Sequence, residues 1–185
     1  MDKLFICFHV FLLLFIFLAG GLNKIANFQD TANYLEAKVN AIQLNPIFIA
    51  AIIITIIYFY VIIVLGTNNM YLFLLISVAI AGIPFLACFK KYLNKNQAGL
   101  VSFIYDTAIA GVIGLLTLGS LLILYSLYTS KYEEYAYVAT IGLAVFTAMT
   151  ILIFHFPTNK SETISFTKNL SIFGGLMLLS QRFSS

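Results

Sequence analysis

Charged residues divide the chain into long apolar stretches, and the spacing between charges predicts where helices begin and end. Residues 4–23 form an uncharged stretch of twenty positions, and residues 39–89 form one of fifty-one. Further uncharged stretches of twenty-four, twenty-five and thirteen residues occupy 107–130, 135–159 and 169–181. A transmembrane helix needs about 20 apolar residues, because the hydrocarbon core of a bilayer is about 30 Å thick. The pattern therefore predicts an all-α, polytopic membrane protein.

The stretch of fifty-one residues is long enough for two helices, and the turn sequence Gly66-Thr67-Asn68-Asn69 divides it. We therefore predict one helical-bundle domain, residues 1–185, with six transmembrane helices. Their predicted bounds are 4–22, 47–65, 71–89, 102–126, 135–156 and 164–181. The last helix is short, and it crosses only if the side chain of Lys168 extends to the interface. Five crossings followed by a short re-entrant end are the alternative.

The first stretch also shares features with a secretory signal, since Lys3 precedes an apolar run and small residues follow at 19–21. Its apolar run is longer than a usual signal core. We therefore interpret it as the first membrane helix.

Lysine and arginine are unevenly distributed over the predicted loops, which predicts the orientation. One face carries three basic residues: Lys3, Lys131 and Arg182. The opposite face carries seven: Lys24, Lys38, Lys90, Lys91, Lys95, Lys160 and Lys168. We expect the lysine-rich loops on the matrix or cytoplasmic side of a mitochondrial inner membrane or bacterial plasma membrane. Both termini are then expected on the opposite side.

Composition supports lipid as the solvent of this chain. Hydrophobic residues make up 62% of it and charged residues 9%, and the mean hydropathy is +1.01. Soluble chains carry about 25% charged residues. The net charge of +3 comes without a basic run, so we expect no nucleic-acid partner.

The sequence offers few groups for catalysis, so we predict no catalytic residue, no metal site and no cofactor. His9 and His155 lie on helices that place them at different depths, about 15–20 Å apart, which disfavours a shared haem. Cys7 and Cys88 are predicted near opposite faces and cannot form a disulfide. The scarcity of such groups favours a non-catalytic protein, at most a non-catalytic subunit of an oxidoreductase complex.

Five polar residues remain as candidates for contacts with lipid headgroups or with partner subunits: Lys24, Lys168, Asn169, Asp106 and His155. Lys24 and Lys168 are suited to lipid phosphates, to an acidic loop of a partner, or to simple interfacial anchoring. Asp106 is suited to an ion pair or interfacial anchor, or to a role with protons or quinone. We expect His155 to cap the end of a helix at the interface.

Two further features predict how the bundle is built. Small residues, such as Gly20-Gly21, Ala110 with Gly114, Thr140 with Ala144 and Ala148, and Gly174-Gly175, have the spacing of helix-packing seams. The loop 24–46 has the pattern of a short amphipathic helix that lies on the membrane surface or docks on a neighbouring subunit.

Parts of the chain resemble the DoxX-like membrane proteins, the family that includes the DoxD and MauE types. The resemblance lies in FIFLAGGLNK at 15–24, TANYL at 31–35, IFHFP at 153–157 and KNLSIFGGL at 168–176. It covers about the first 35 and the last 80 residues. Family members usually have four helices, so a helix hairpin within about 40–100 is extra here.

The resemblance implies an accessory or structural subunit of a larger membrane complex, respiratory or quinone-linked, without an active site of its own. Its expected partners are other membrane subunits and lipids, with quinone nearby. The alternative is a small membrane transporter or cargo receptor, since relatives of the family include a cargo receptor. Fold alone does not decide between these functions.

Overall fold

The structure, a computed structural model, describes residues 3–42, 46–66, 69–89, 98–157 and 160–184. Every regular element within these ranges is helical, which confirms the all-α prediction. The helices are α1 (Lys3–Ala26), α2 (Phe28–Ala41), α3 (Pro46–Gly66), α4 (Met70–Phe89), α5 (Ala98–Gly114), α6 (Ser120–Thr129), α7 (Glu133–Phe154) and α8 (Thr163–Gln181). A π-helical turn, Leu115–Gly119, joins α5 to α6, and a 3-10 turn, Lys160–Glu162, precedes α8.

Five helical segments are long and apolar enough to cross a membrane: Lys3–Ala26, Pro46–Gly66, Met70–Ala87, Gly99–Thr129 and Glu133–Phe154. They correspond to the first five predicted spans. The predicted sixth span forms α8 but does not reach the same apolar character, because Lys168 and several hydroxyl and amide side chains interrupt it. The count of six is therefore not confirmed, whereas five membrane-length apolar helices are present.

Helix α8 lies antiparallel to α7, and polar contacts join the two helices at both ends. At the first end of α8, Glu162 Oε2 lies 2.8 Å from His155 Nδ1. At the other end, Arg182 Nη2 lies 3.8 Å from Glu133 Oε1. The 19 residues of α8 correspond to about 28 Å of helix, so α8 extends along most of α7.

Contacts between chain segments group the helix ends at two opposite ends of the bundle. We call one the Lys3 end, where Lys3 Nζ donates to Ser130 Oγ at 3.1 Å and where Arg182 meets Glu133. We call the other the Lys24 end, which includes the His155–Glu162 contact. The segments at Lys3, Ser130 and Arg182 thus share one end, as the predicted set with Lys3, Lys131 and Arg182 requires. The turn residues Thr67 and Asn68 and the loop lysines Lys90, Lys91 and Lys95 lie outside the described residues.

The helix formed by α5, the π-helical turn and α6 is longer than its predicted bounds of 102–126. Its apolar part, Gly99–Thr129, has 31 residues, or about 46 Å of helix against a hydrocarbon thickness of about 30 Å. The helix is therefore longer than a perpendicular crossing needs, and its first turns lie beside α2 at the Lys24 end of the bundle. There Val101 and Tyr105 are buried against Val39 of α2. The predicted amphipathic helix thus docks on this chain itself.

The core of the bundle is centred on α7. In an apolar stretch of 18 residues of α7, 56% of the residues are buried inside the protein, whereas the corresponding fraction is 17–28% in the other four membrane-length segments. Among the most deeply buried side chains are Leu14, Phe59, Ile141 and Leu143. The other segments therefore leave most of their apolar surface to lipid, as the composition requires.

Among the glycines, Gly21 of α1 leaves the least space for a side chain. A Cβ atom on Gly21 would lie 2.7 Å from Thr117 Cγ2 and 3.2 Å from Leu116 Cβ, both in the π-helical turn. Thr117 Oγ1 donates to the Ile113 carbonyl at 2.7 Å, which fixes the position of its methyl group. Glycine is therefore required here for close packing between backbones.

Candidate functional site

A half-open cavity of about 1040 Å³ lies between α2, α4, α5, α6 and α7, with Lys24 of α1 at one end. Its walls include several small residues: Ala79, Ala108, Gly111, Ala139 and Gly142. Gly111 has no atom of another element within 4 Å of its Cβ position, whereas Gly142 packs against Leu115, whose Cδ1 atom lies 3.0 Å from the Cβ position of Gly142. The volume is at the upper end of the range for ligand-binding pockets, about 300–1,000 Å³.

The cavity extends along almost the whole length of α7. Its lining on this helix begins at Tyr135, in the first turn, and continues to His155, directly after the last turn. These positions are twenty residues apart, which corresponds to about 30 Å of helix. The cavity is thus comparable in length to the thickness of the hydrocarbon core.

Polar side chains in the cavity wall are concentrated at the Lys24 end. Lys24 of α1, Thr31 and Tyr34 of α2, and His155 line that end. Elsewhere the wall is almost entirely aliphatic and aromatic, with Thr150 and Tyr135 as polar members. The Thr150 hydroxyl donates to the Phe146 carbonyl at 2.9 Å, so its proton is used within α7. The cavity therefore has one polar end and a long apolar interior.

Aromatic and polar contacts hold the polar end together. The Tyr34 ring stacks on the Phe154 ring, with centroids 5.5 Å apart and planes at 20°. Lys38 Nζ lies 5.5 Å from the centroid of the same Tyr34 ring, a distance suited to a cation–π contact. Thr31 Oγ1 donates to the Asn27 carbonyl at 2.7 Å. Of these contacts, the Tyr34–Phe154 stack joins α2 to the end of α7, and the other two lie within α2 or at its first end.

His155 and Lys24 differ in how their charges are balanced. His155 Nδ1 contacts Glu162 Oε2 at 2.8 Å, and both side chains are about one-third exposed. The half-buried Lys24 side chain has no carboxylate within 4 Å among the residues that the structure describes. An ammonium group that has lost part of its hydration without a counter-ion is electrostatically unsatisfied.

The structure brings together two of the five predicted contact residues, Lys24 and His155, at the polar end of the cavity. Asp106 lies in the first turns of α5, outside the cavity wall, and its Oδ1 atom is buried without a described hydrogen-bond partner. Lys168 is exposed on α8 and Asn169 is half-buried there, and neither lines the cavity.

The two histidines lie at separate positions along the bundle. His9 Nδ1 contacts the Phe5 carbonyl at 2.7 Å in α1, near the Lys3 end, whereas His155 belongs to the Lys24 end. Within the described ranges, no group of three or more His, Cys, Asp or Glu side chains is placed to hold a metal ion. The side chain of Cys88 lies outside the described residues.

The small residues have two roles in the bundle, as packing seams between helices and as part of the cavity wall. Gly21 and Gly175 are close to neighbouring helices, the latter with its Cβ position 3.3 Å from Leu13 Cδ1. Gly20, Gly114 and Gly174 have no such neighbour within 4 Å. The cavity wall uses a different set, including Ala108 and Gly111. Ala108 and Gly111, spaced i and i+3 on α5, line the cavity together with Ala79 of α4 and Ala139 of α7. This spacing of short residues is the sequence feature that could have indicated the cavity.

The fold and the cavity together define an integral membrane protein of the helical-bundle class. No protein-family model, curated protein or solved structure matches the chain. The DoxX-like resemblance therefore stays a prediction from the sequence motifs.

Proposed function

We propose that this chain is a non-catalytic membrane subunit of the DoxX-like kind, which binds a lipid-soluble molecule within a larger membrane assembly. The observation that carries the proposal is the cavity of about 1040 Å³, which has a polar end and a long apolar interior. A pocket of this shape suits an amphiphile, because the tail is buried among apolar side chains while the headgroup keeps polar partners. The family resemblance favours a respiratory or quinone-linked assembly.

A carrier or cargo receptor for lipid-soluble molecules is the second candidate. The cavity lining from Tyr135 to His155 favours it, since a cavity of that length connects the two interfacial regions. A carrier for hydrophilic solutes has less support. The threonine hydroxyls of Thr55, Thr117, Thr147 and Thr150 donate to carbonyls of their own helices, and the buried serine hydroxyls without a described partner, those of Ser77, Ser120 and Ser126, lie outside the cavity wall. The protons of these threonines are therefore not available to a polar solute.

Purification in a mild detergent tests the proposal. We expect the chain to migrate in a particle larger than its own 20.6 kDa, with other membrane chains and with an extractable amphiphile. Mass spectrometry of the particle and of its solvent extract identifies both. A lone chain that carries no amphiphile would contradict the proposal. Movement of a labelled lipid between leaflets, catalysed by the purified chain alone in liposomes, would instead favour the carrier.

We also propose that α8 crosses the membrane, which makes six spans, and that the Lys24 end faces the cytoplasm or matrix. The antiparallel contact with α7 along its length supports the crossing. The excess of lysine in the loops of the Lys24 end supports the orientation.

Single cysteines at two exposed serines, Ser161 before α8 and Ser184 after it, test both parts of this topology. Cys7 and Cys88 are first replaced by serine. A membrane-impermeant thiol reagent is expected to label S184C in intact cells or mitoplasts, and S161C only after permeabilisation. Labelling of both cysteines from one side would show that α8 is re-entrant. The reverse pattern would overturn the orientation.

A further inference from the structure

The chemistry at the polar end of the cavity narrows the class of ligand. We propose that the Lys24 end binds an anionic headgroup, a carboxylate or a phosphate, of an amphiphile whose apolar tail lies along α7. This inference rests on the proposed function, because it assumes that the cavity holds an amphiphile.

The first argument is the charge balance of Lys24. Its side chain lines the cavity, is half-buried, and has no described carboxylate within 4 Å. Glu162, an acidic residue at the same end, is already in contact with His155 at 2.8 Å. A charged group removed from water needs a partner of opposite charge. A ligand carboxylate or phosphate would supply it.

The second argument is the set of neighbouring donors and charges. Tyr34 lines the same end, and a phenol hydroxyl can donate to an anionic oxygen. Lys38 Nζ lies over the Tyr34 ring at 5.5 Å, which adds a second positive charge beside the opening. The Thr31 hydroxyl already donates to a backbone carbonyl. Within the cavity wall this end thus holds one cation, Lys24, with hydroxyl and imidazole groups, whereas the carboxylates of Asp30, Glu36 and Glu162 lie outside the wall; this favours an anion over a neutral headgroup.

The third argument is the apolar interior. Leu75, Ile76, Val145 and Phe146 line it together with other aliphatic and aromatic residues. Lining residues along about 30 Å of α7 provide room for one long, extended chain. A soluble anion without a tail would leave this surface uncovered, so the two parts of the cavity together indicate an amphiphile.

A binding experiment with the delipidated full-length chain in detergent distinguishes the contribution of the headgroup charge to affinity from the contribution of the apolar tail. Oleate and oleyl alcohol have the same chain and differ in headgroup charge, and oleoyl lysophosphatidate tests phosphate against carboxylate. A neutral long-chain quinone is the fourth ligand. Binding of each ligand is titrated and followed by native mass spectrometry. We expect both anions to bind about tenfold or more tightly than the alcohol and the quinone, since hydrogen bonds to charged groups are the stronger ones. Tighter binding of one anion identifies the headgroup.

Variants of Lys24 then test the assigned residue. Lys24→Gln is expected to weaken oleate binding about tenfold and to leave oleyl alcohol binding unchanged, while Lys24→Arg retains oleate binding. Lys168→Gln is the matched control, because it removes one exposed lysine outside the cavity. Thermal unfolding of each variant verifies that the bundle is intact, and Lys24→Met provides a second uncharged variant with the same expected loss if Lys24→Gln does not fold.

Three results would overturn the inference while leaving the proposed function in place: equal binding of oleate and oleyl alcohol, quinone binding as tight as that of oleate, or equal losses in Lys24→Gln and Lys168→Gln. The last result would show a general effect of surface charge. Failure of the wild-type chain to bind any of the four amphiphiles would contradict the proposed function itself.

Discussion

Replacing Gly21 by alanine is expected to destabilise the bundle by about 1–3 kcal/mol, the usual range for overpacking in a close-packed interior. The added methyl group would lie 2.7 Å from Thr117 Cγ2 and 3.6 Å from the Thr117 backbone nitrogen. Neither atom moves easily, because the methyl group belongs to a β-branched side chain whose hydroxyl is bonded to Ile113. Helix α1 or the π-helical turn must therefore shift.

Gly20→Ala is the matched control, since nothing lies within 4 Å of its Cβ position. Both substitutions bring the same gain in helix propensity, about 1 kcal/mol, so the difference between them isolates the steric effect. Unfolding by heat or by sodium dodecyl sulfate, followed by circular dichroism in detergent, measures the difference. Equal stability of the two variants would contradict the close packing at Gly21.

A second substitution tests the mechanism of this effect. Thr117→Ser removes the Cγ2 atom and keeps the hydroxyl that donates to Ile113. The double variant Gly21→Ala/Thr117→Ser is therefore expected to recover most of the stability lost in Gly21→Ala. The double-mutant cycle is expected to give a coupling energy of about 1 kcal/mol or more, within the range of about 0.5–3 kcal/mol that is typical of residues in contact.

Replacing Ala108 by phenylalanine is expected to lower binding of the amphiphile roughly tenfold or more. Ala108 lines the cavity from α5, so the aromatic ring would occupy volume that the tail needs. If the tail and the ring compete for the same volume, the binding free energy is expected to weaken by about 1–3 kcal/mol, the usual cost of overpacking. Each 1.4 kcal/mol corresponds to about a tenfold change in affinity. The amount of amphiphile retained after purification measures the effect.

Ala110→Phe is the control for this substitution. Ala110 is exposed on the same helix, two positions away, and it does not line the cavity. Positions i and i+2 point to different sides of a helix, so the ring at 110 would face lipid. Equal retention of amphiphile by the two variants would show that the ligand lies elsewhere.

The membrane helices were predictable because their signal depends on a simple balance of length and hydropathy. The gap in charges before Lys24 located α1, and the gap after Glu134 located α7. The prediction began the next helix at 102, whereas α5 begins at Ala98. Tertiary contacts with α2 stabilise those first turns, and hydropathy does not report such contacts.

The candidate site was only partly predictable. Lys24 and His155 were selected as isolated polar residues near helix ends, but their shared position depends on how α1, α2 and α7 pack. Small residues were assigned to packing seams, and Gly21 does lie in one. Ala108 and Gly111, which were not among the predicted seam residues, border open volume. A small side chain is compatible with either arrangement, so composition alone does not distinguish a seam from a cavity.

An experimental structure of the full-length chain in a lipid nanodisc tests the central claim most directly, because it shows whether the cavity is occupied. The account predicts an elongated density between α4, α5 and α7, which begins beside Lys24 and His155 and continues toward Tyr135. A structure in which α4 and α5 close against α7, so that no space remains between Ala108 and Val145, would contradict it.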